Sequence, residues 1–280
     1  MSVEETILDR ILEWKRTIAH DKPLIVGISG PQGCGKTTLV NNLSRKLSTQ
    51  HHLKTTSFSA DDFYLTFDDQ QFVAKGSGEG NVLLQFRGLP GTHDVELGEQ
   101  VLKDLGSGVV PVSIPVYDKS RRGGRGDRLG KENWTIVTEK QDVILFEGWF
   151  MGFKPQSTEI VKLAWERDLE NHIGWSVNNM LEVMNHLLKY EQRWYSRFDA
   201  FVQIVPQQWE FVYEWRWQQE ESMRKTINDP NVGLTRNQIN DFVNRFIPVY
   251  KICDNSVHHF RHSLTITINK QRQIISYIIL

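Results

Sequence analysis

Residues 24–40, L-I-V-G-I-S-G-P-Q-G-C-G-K-T-T-L-V, constrain this chain more than any other stretch. Gly30, Gly35, Lys36 and Thr37 satisfy G-x-x-x-x-G-K-[ST], with an apolar run before them and a helical pattern after. Glycines at 30, 33 and 35 let the main chain adopt positive φ and come close to a ligand. Successive N–H groups then converge on an anion, and the start of the next helix adds partial positive charge. The stretch predicts an α/β fold with a strand at Leu24–Ser29 and a helix from about residue 36 to 47. Between them lies a phosphate-binding loop of Gly30, Pro31, Gln32, Gly33, Cys34 and Gly35. In such a loop Lys36 reaches the β- and γ-phosphates of ATP, the Thr37 hydroxyl faces Mg²⁺, and Thr38 adds a nucleotide contact.

The 280 residues suit one large α/β domain or a core domain with insertions, a single unit over 1–280. Lys and Arg total 33 against 34 Asp and Glu. No basic excess therefore points to nucleic acid or to an anionic membrane surface. No apolar run approaches the ~18 residues of a membrane span. Cys34 and Cys253 are too few for a disulfide framework and fit a reducing compartment. The opening M-S-V-E-E-T carries early acidic residues and no apolar core of a leader, so the expectation is a cytoplasmic protein.

Helical spacing over 3–19 predicts a first helix, with Ser2 and Glu5 in capping-box positions. Residues 54–59 (K-T-T-S-F-S) read as a second strand running into Asp61-Asp62-Phe63-Tyr64. Carboxylates at a strand's C-terminal end, one βαβ step beyond a phosphate loop, lie where α/β sheets bind ligands. Either Asp61 or Asp62 can take a substrate hydroxyl proton or reach Mg²⁺ through water; either can equally cap a helix. Residues 65–133 break the βαβ rhythm, with glycines at 76, 78 and 80, R-G-L-P-G-T-H-D from 87 to 94, and R-R-G-G-R-G-D-R from 121 to 128. That length and composition predict a substrate-pocket insertion. Its arginines at 121, 122, 125 and 128 suit a carboxylate or phosphate, or a solvated basic loop. Residues 142–149, D-V-I-L-F-E-G-W, read as a strand delivering Glu147 to its carboxyl end, near Mg²⁺.

Residues 157–195 have a mostly helical pattern, and 200–205 (A-F-V-Q-I-V) a strand closed by Pro206. A helix over about 207–230 carries Arg216 and Arg224 two turns apart, a pattern that fits a lid closing on ATP or a surface helix laced by Glu–Arg pairs. A helix over 235–249 and two adjacent strands, 264–269 and 274–279, complete the chain. His258, His259 and His262 have no partner at metal-ligand spacing, so no metal site is expected there.

With these residues in view, the chain resembles the P-loop small-molecule kinases that include uridine kinase, phosphoribulokinase and bacterial pantothenate kinase. The loop, the S-A-D-D-F-Y run, P-V-Y-D and L-F-E-G carry the resemblance. More narrowly it is similar to plant-type D-glycerate 3-kinases and their fungal relatives, through Y-D-K-S with G-R-G-D-R, W-R-W-Q-Q-E-E-S-M-R and D-F-V-N-R-F-I-P-V-Y-K. The resemblance implies a parallel five-stranded sheet flanked by helices. It implies Asp61 as catalytic base, Glu147 as the strand-end acid, and a lid carrying Arg216, Gln218 and Arg224. The expected activity is Mg-ATP-dependent phosphorylation of a hydroxyl on a small anionic metabolite, D-glycerate leading. Lys36, Asp61, Glu147 and Arg224 are the expected catalytic set. Thr37, Asp61 and Glu147 are expected to serve Mg²⁺, and Tyr64, Arg87, His93, Tyr117, Arg125 and Arg128 the acceptor. An ATP-switched binding module without transfer is the competing reading, against which the acidic residues stand. A nucleic-acid-directed enzyme finds no support in the charge balance.

Overall fold

A computed structural model describes residues 2–76, 80–167, 174–228, 233–253 and 260–280. Gly78, His258 and His259, named above, lie outside the described residues. The helices are α1 (Val3–Ile18), α2 (Lys36–His51), α3 (Phe67–Lys75), α4 (Val95–Gly106), α5 (Thr158–Arg167), α6 (Val177–Arg193), α7 (Phe211–Ile227), α8 (Arg236–Asn244) and α9 (Ile247–Cys253). The strands are β1 (Leu24–Ser29), β2 (Thr55–Ser59), β3 (Val112–Ile114), β4 (Tyr117–Asp118), β5 (Asp127–Arg128), β6 (Thr135–Val137), β7 (Val143–Gly148), β8 (Ala200–Pro206), β9 (Ser263–Ile268) and β10 (Ile274–Ile279).

The main sheet runs β10-β9-β8-β1-β7-β2. The five strands from β9 to β2 are parallel, and β10 adds an antiparallel sixth at one edge. Strands β1 and β7 are buried along their whole length, which is why their sequences are almost uninterruptedly apolar. Chain order leaves β1 for β2 across β7, and such a switch point opens a crevice at the strands' carboxyl ends. The register sets Glu147 level with Ile28 on one side and Ser59 on the other.

Two local expectations need adjustment. The sheet has six strands where five were expected, because the last hairpin joins it. The 235–249 helix is two helices; Pro248 has no N–H for the Asn244 carbonyl, and α8 ends at that residue. The mostly helical pattern over 157–195 holds, as α5 and α6, with residues 168–173 outside the description. Ser2 and Glu5 do form the capping box of α1.

The insertion is anchored to the end of β2. Tyr64 and His93 form an antiparallel bridge, with Asp94 N–H donating to the Phe63 carbonyl (2.8 Å) and Leu65 N–H to the Thr92 carbonyl (3.0 Å). Beneath it, Phe63 packs against Phe58, Phe146 and Trp194 at ring-centroid separations of 5.7–5.8 Å. Burying such side chains stabilises by about 1.5–3 kcal/mol each, and here it holds the turn that carries Asp61. Among the described residues, no helix is long and apolar enough to cross a membrane.

Candidate active site

The phosphate loop takes the conformation its glycines allow. Gly33 and Gly35 have φ of +76° and +95°. A Cβ on Gly33 would lie 2.7 Å from the main chain and Cβ of Trp215, so the loop packs tightly against α7. Gly35 precedes the first turn of α2, whose free N–H groups face the loop. The Lys36 ammonium donates to the Pro31 carbonyl at 3.1 Å, and the Tyr250 hydroxyl accepts from Gln32 N–H at 3.2 Å. Burial pushes the Cys34 thiol up, so it is a packed neutral group and not the exposed thiolate that a helix N-terminus favours.

Thr37 Oγ1 donates to Glu147 Oε1 at 3.1 Å. Burial raises the Glu147 carboxyl above its usual range against the opposing pull of Lys36. A hydroxyl and a buried carboxylate with a nearby ammonium form a hard oxygen pair that fits Mg²⁺. Among the described residues, no three His, Cys, Asp or Glu side chains converge on one point. Mg²⁺ held by one or two side chains together with nucleotide phosphates needs no such cage.

Asp61 and Asp62 separate cleanly. Asp62 Oδ2 accepts the Ser59 N–H at 2.9 Å and closes a capping box at the turn following β2. Burial, reinforced by the Asp61 and Glu147 charges, pushes its carboxyl up to about 6. Asp61 instead meets Lys119 at 2.5 Å and accepts from the Tyr64 hydroxyl. Burial opposes its charge, but Lys119 overcomes this and holds the carboxyl down to about 2. An acid raised in the folded state binds more protons there than when unfolded, so Asp62 lowers stability as pH rises from about 4 to about 6. Asp62→Asn, which keeps the capping acceptor, should therefore fold normally, turn over like the wild type, and lose that part of the pH dependence of Tm. Thermal melts between pH 4 and 7 alongside activity assays check this; a dead but folded variant would contradict it.

Around Asp61 the structure assembles most of the expected acceptor residues, and it changes how several of them act. Tyr64 stacks on His93 at 4.4 Å and meets Tyr117 edge-on at 5.2 Å. His93 is buried and neutral, its pKa pushed down to about 3 by burial. Its Nδ1 meets the Tyr190 hydroxyl at 2.9 Å, and among the described residues its Nε2 has no hydrogen-bond partner. The Tyr190 hydroxyl also accepts the Gly91 N–H at 3.0 Å.

Arg87 lies over Tyr117 at 5.6 Å and donates to the carbonyls of Gly124, Arg125 and Lys119. The Arg125 guanidinium rests over Phe67 and Phe86, so this residue enters the site framework through its carbonyl. Arg128 donates to the Tyr64 carbonyl at 3.2 Å and pairs with Asp94 at 3.0 Å, which makes it a brace behind the site.

The expected lid helix is α7, and its first half is packed against the loop: Val212 and Trp215 are fully buried. Arg216 pairs with Glu220 at 2.5 Å, and Arg224 donates to the Leu234 carbonyl at 2.6 Å and lies over Trp217. For either arginine to reach a phosphate, these bonds must be exchanged.

Sequence spacing does not single out Lys119, although it stands two residues after Tyr117 inside the pocket insertion. Nor does it single out Arg272, whose guanidinium donates to the Gly33 carbonyl from the far end of the chain.

Comparison with known proteins places the chain in a family. Residues 25–178 match the model of the Phosphoribulokinase / Uridine kinase family. The chain is 40% identical over 233 residues to a D-glycerate 3-kinase, chloroplastic, of Arabidopsis thaliana, covering 82% of this chain and 47% of that protein. It thus spans about half the length of that plant relative. It is 35% identical over 285 residues to the uncharacterized kinase mug58 of Schizosaccharomyces pombe, covering 97% of this chain and 98% of that one. Among solved structures, a D-glycerate 3-kinase from Cryptococcus neoformans superposes with a TM-score of 0.90 at 29% identity, over 100% of both chains. The family model matches more than half of the chain, and the chain belongs to the Phosphoribulokinase / Uridine kinase family of P-loop kinases.

Proposed function

We propose that the chain transfers the γ-phosphoryl group of Mg-ATP to a hydroxyl of a small anionic metabolite, with D-glycerate the leading acceptor. The observation that carries this reading is the ion pair of Asp61 with Lys119, set in the same crevice as Thr37 and Glu147. The names of the Arabidopsis and Cryptococcus relatives supply the acceptor.

In this reading residues 1–280 act as one kinase unit, with 65–133 forming the acceptor pocket. Thr37 and Glu147 would hold Mg²⁺, which would supply positive charge to the nucleotide phosphates. Lys36 leaves the Pro31 carbonyl for the phosphates. Asp61 accepts the hydrogen bond of the acceptor hydroxyl and aligns its oxygen for in-line attack. Held to about 2, its carboxyl is a weak base. That suits a loose transfer in which the hydroxyl proton leaves late. Lys119 offers positive charge to an anionic acceptor, with Tyr64 and Tyr117 as walls and buried His93 stacked behind Tyr64. Arg216 and Arg224 serve the phosphates only after release from Glu220 and Leu234.

The test is ADP release by the full chain with Mg-ATP against D-glycerate, pantothenate, uridine, ribulose 5-phosphate and no acceptor. Stimulation by D-glycerate alone is the expected result. Tight ATP binding with no stimulation by any acceptor would overturn the transferase reading and favour an ATP-switched binding module.

A further inference from the structure

The turn between β9 and β10 places an arginine where hairpin loops favour Gly or Asn. Arg272 has φ +63°, and its N–H donates to the Asn269 carbonyl at 2.9 Å. A left-handed conformation is uncommon for a residue with a side chain, and such outliers concentrate at functional positions. The Arg272 side chain gives this one a reason. Its Nε and Nη2 both donate to the Gly33 carbonyl, at 3.1 and 2.9 Å, and Nη2 also donates to Gln218 Oε1 at 2.9 Å. The guanidinium lies over the ring of Trp215, 5.3 Å from its centroid. Trp215 in turn donates its indole N–H to the Lys270 carbonyl in the same turn, at 2.8 Å. One side chain therefore joins the phosphate loop, the first half of α7 and the C-terminal hairpin. It also lines a cleft of about 760 Å³ beside the loop, together with Cys34, Gly35, Thr38 and Leu39.

We infer that Arg272 is a positioning residue for the nucleotide phosphates, holding the Gly33 carbonyl outward so that no carbonyl oxygen faces the bound triphosphate. The inference rests on reading the loop as the nucleotide site. A carbonyl turned into an anion cradle repels phosphate, and the loop's glycines leave the main chain free to turn. Two charge-assisted bonds from a planar fork fix the carbonyl, and the bond to Gln218 fixes the fork. A lysine, as a single point charge, cannot make that arrangement.

Arg272→Gly is the informative variant, because glycine relieves the left-handed backbone. Calorimetric binding of Mg-ATP and of Mg-tripolyphosphate, which has no base or ribose, is measured on the full chain beside its Tm without ligand. The expected result is a folded protein whose Tm falls by no more than a few degrees, because relief of the left-handed backbone offsets part of the lost bonds, with both affinities falling by a similar factor, about 10–100-fold for lost charge-assisted bonds. Millimolar guanidinium should restore part of both, and the turnover number at saturating ATP should change little. Arg272→Lys should bind both more weakly than wild type, with no response to guanidinium. Unchanged binding of both ligands in Arg272→Gly would overturn the inference. So would weakened ATP binding with tripolyphosphate unaffected, which would make Arg272 a nucleoside contact. Wild-type protein that binds neither ligand would overturn the nucleotide-site reading beneath it.

Discussion

Asp61→Asn should lower the rate of phosphoryl transfer by about 10²–10⁴-fold, the range for loss of a positioned acid–base group, while ATP affinity stays near wild type. The amide has the shape of the carboxylate and keeps an oxygen to accept from the Tyr64 hydroxyl. It removes the charge that meets Lys119 at 2.5 Å. The acceptor hydroxyl then loses its strongest acceptor, and Lys119 loses the partner that holds it in place. None of the loop groups changes, so the nucleotide should bind as before. Single-turnover transfer and ATP titration on the same preparation separate the two effects. Normal turnover in the variant would remove Asp61 from the mechanism. With its carboxyl held to about 2, Asp61 is ionised from pH 4 upward, so it should give the wild-type rate no acid limb above that pH.

Lys36→Ala should lose both binding and chemistry. The Lys36 ammonium is the one side-chain cation that the loop sequence itself supplies, and it rests 3.1 Å from the Pro31 carbonyl. Removing one preorganised electrostatic donor from a phosphoryl-transfer site costs about 10²–10³ in rate. Because the same ammonium contacts ATP before transfer, the affinity should fall as well, by about tenfold or more. It also lends positive charge to buried Glu147, whose carboxyl burial already pushes up. Without Lys36 that carboxyl is neutralised more easily, and the Mg²⁺ requirement should rise along with the ATP requirement. Titrating Mg²⁺ at fixed ATP reads this directly. Unchanged nucleotide binding would count against the loop assignment itself.

Short-range rules made much of this site legible. The apolar run of β1, the glycine spacing of the loop, the apolar run ending in Glu147 and the acidic residues after β2 each follow from neighbours within ten positions. The choice between Asp61 and Asp62 was not readable that way. Both stand at the strand end, and only the capping bond from Ser59 and the arrival of Lys119 distinguish them. Lys119 comes from 58 residues away and Arg272 contacts a glycine 239 residues earlier, distances at which periodicity carries no information. The arginines were legible in kind and less so in use. Arg128 and Arg87 are drawn to carbonyls and carboxylates of the scaffold, since a buried or half-buried guanidinium must satisfy five donors wherever it lies. The helix expected over 235–249 breaks because the proline effect at residue 248 outweighs a continuous apolar stripe.

Arg87 grips the loop after β4 only through main-chain oxygens, those of Lys119, Gly124 and Arg125. Such a grip is blind to which side chains the loop displays. Side chains of this loop can therefore change without loss of the Arg87 bonds, while Gly123 and Gly124, at φ +64° and +87°, stay tied to their positions by backbone conformation. The bonds by which Arg87 holds the loop and the side chains the loop displays are thus distinct features of this chain.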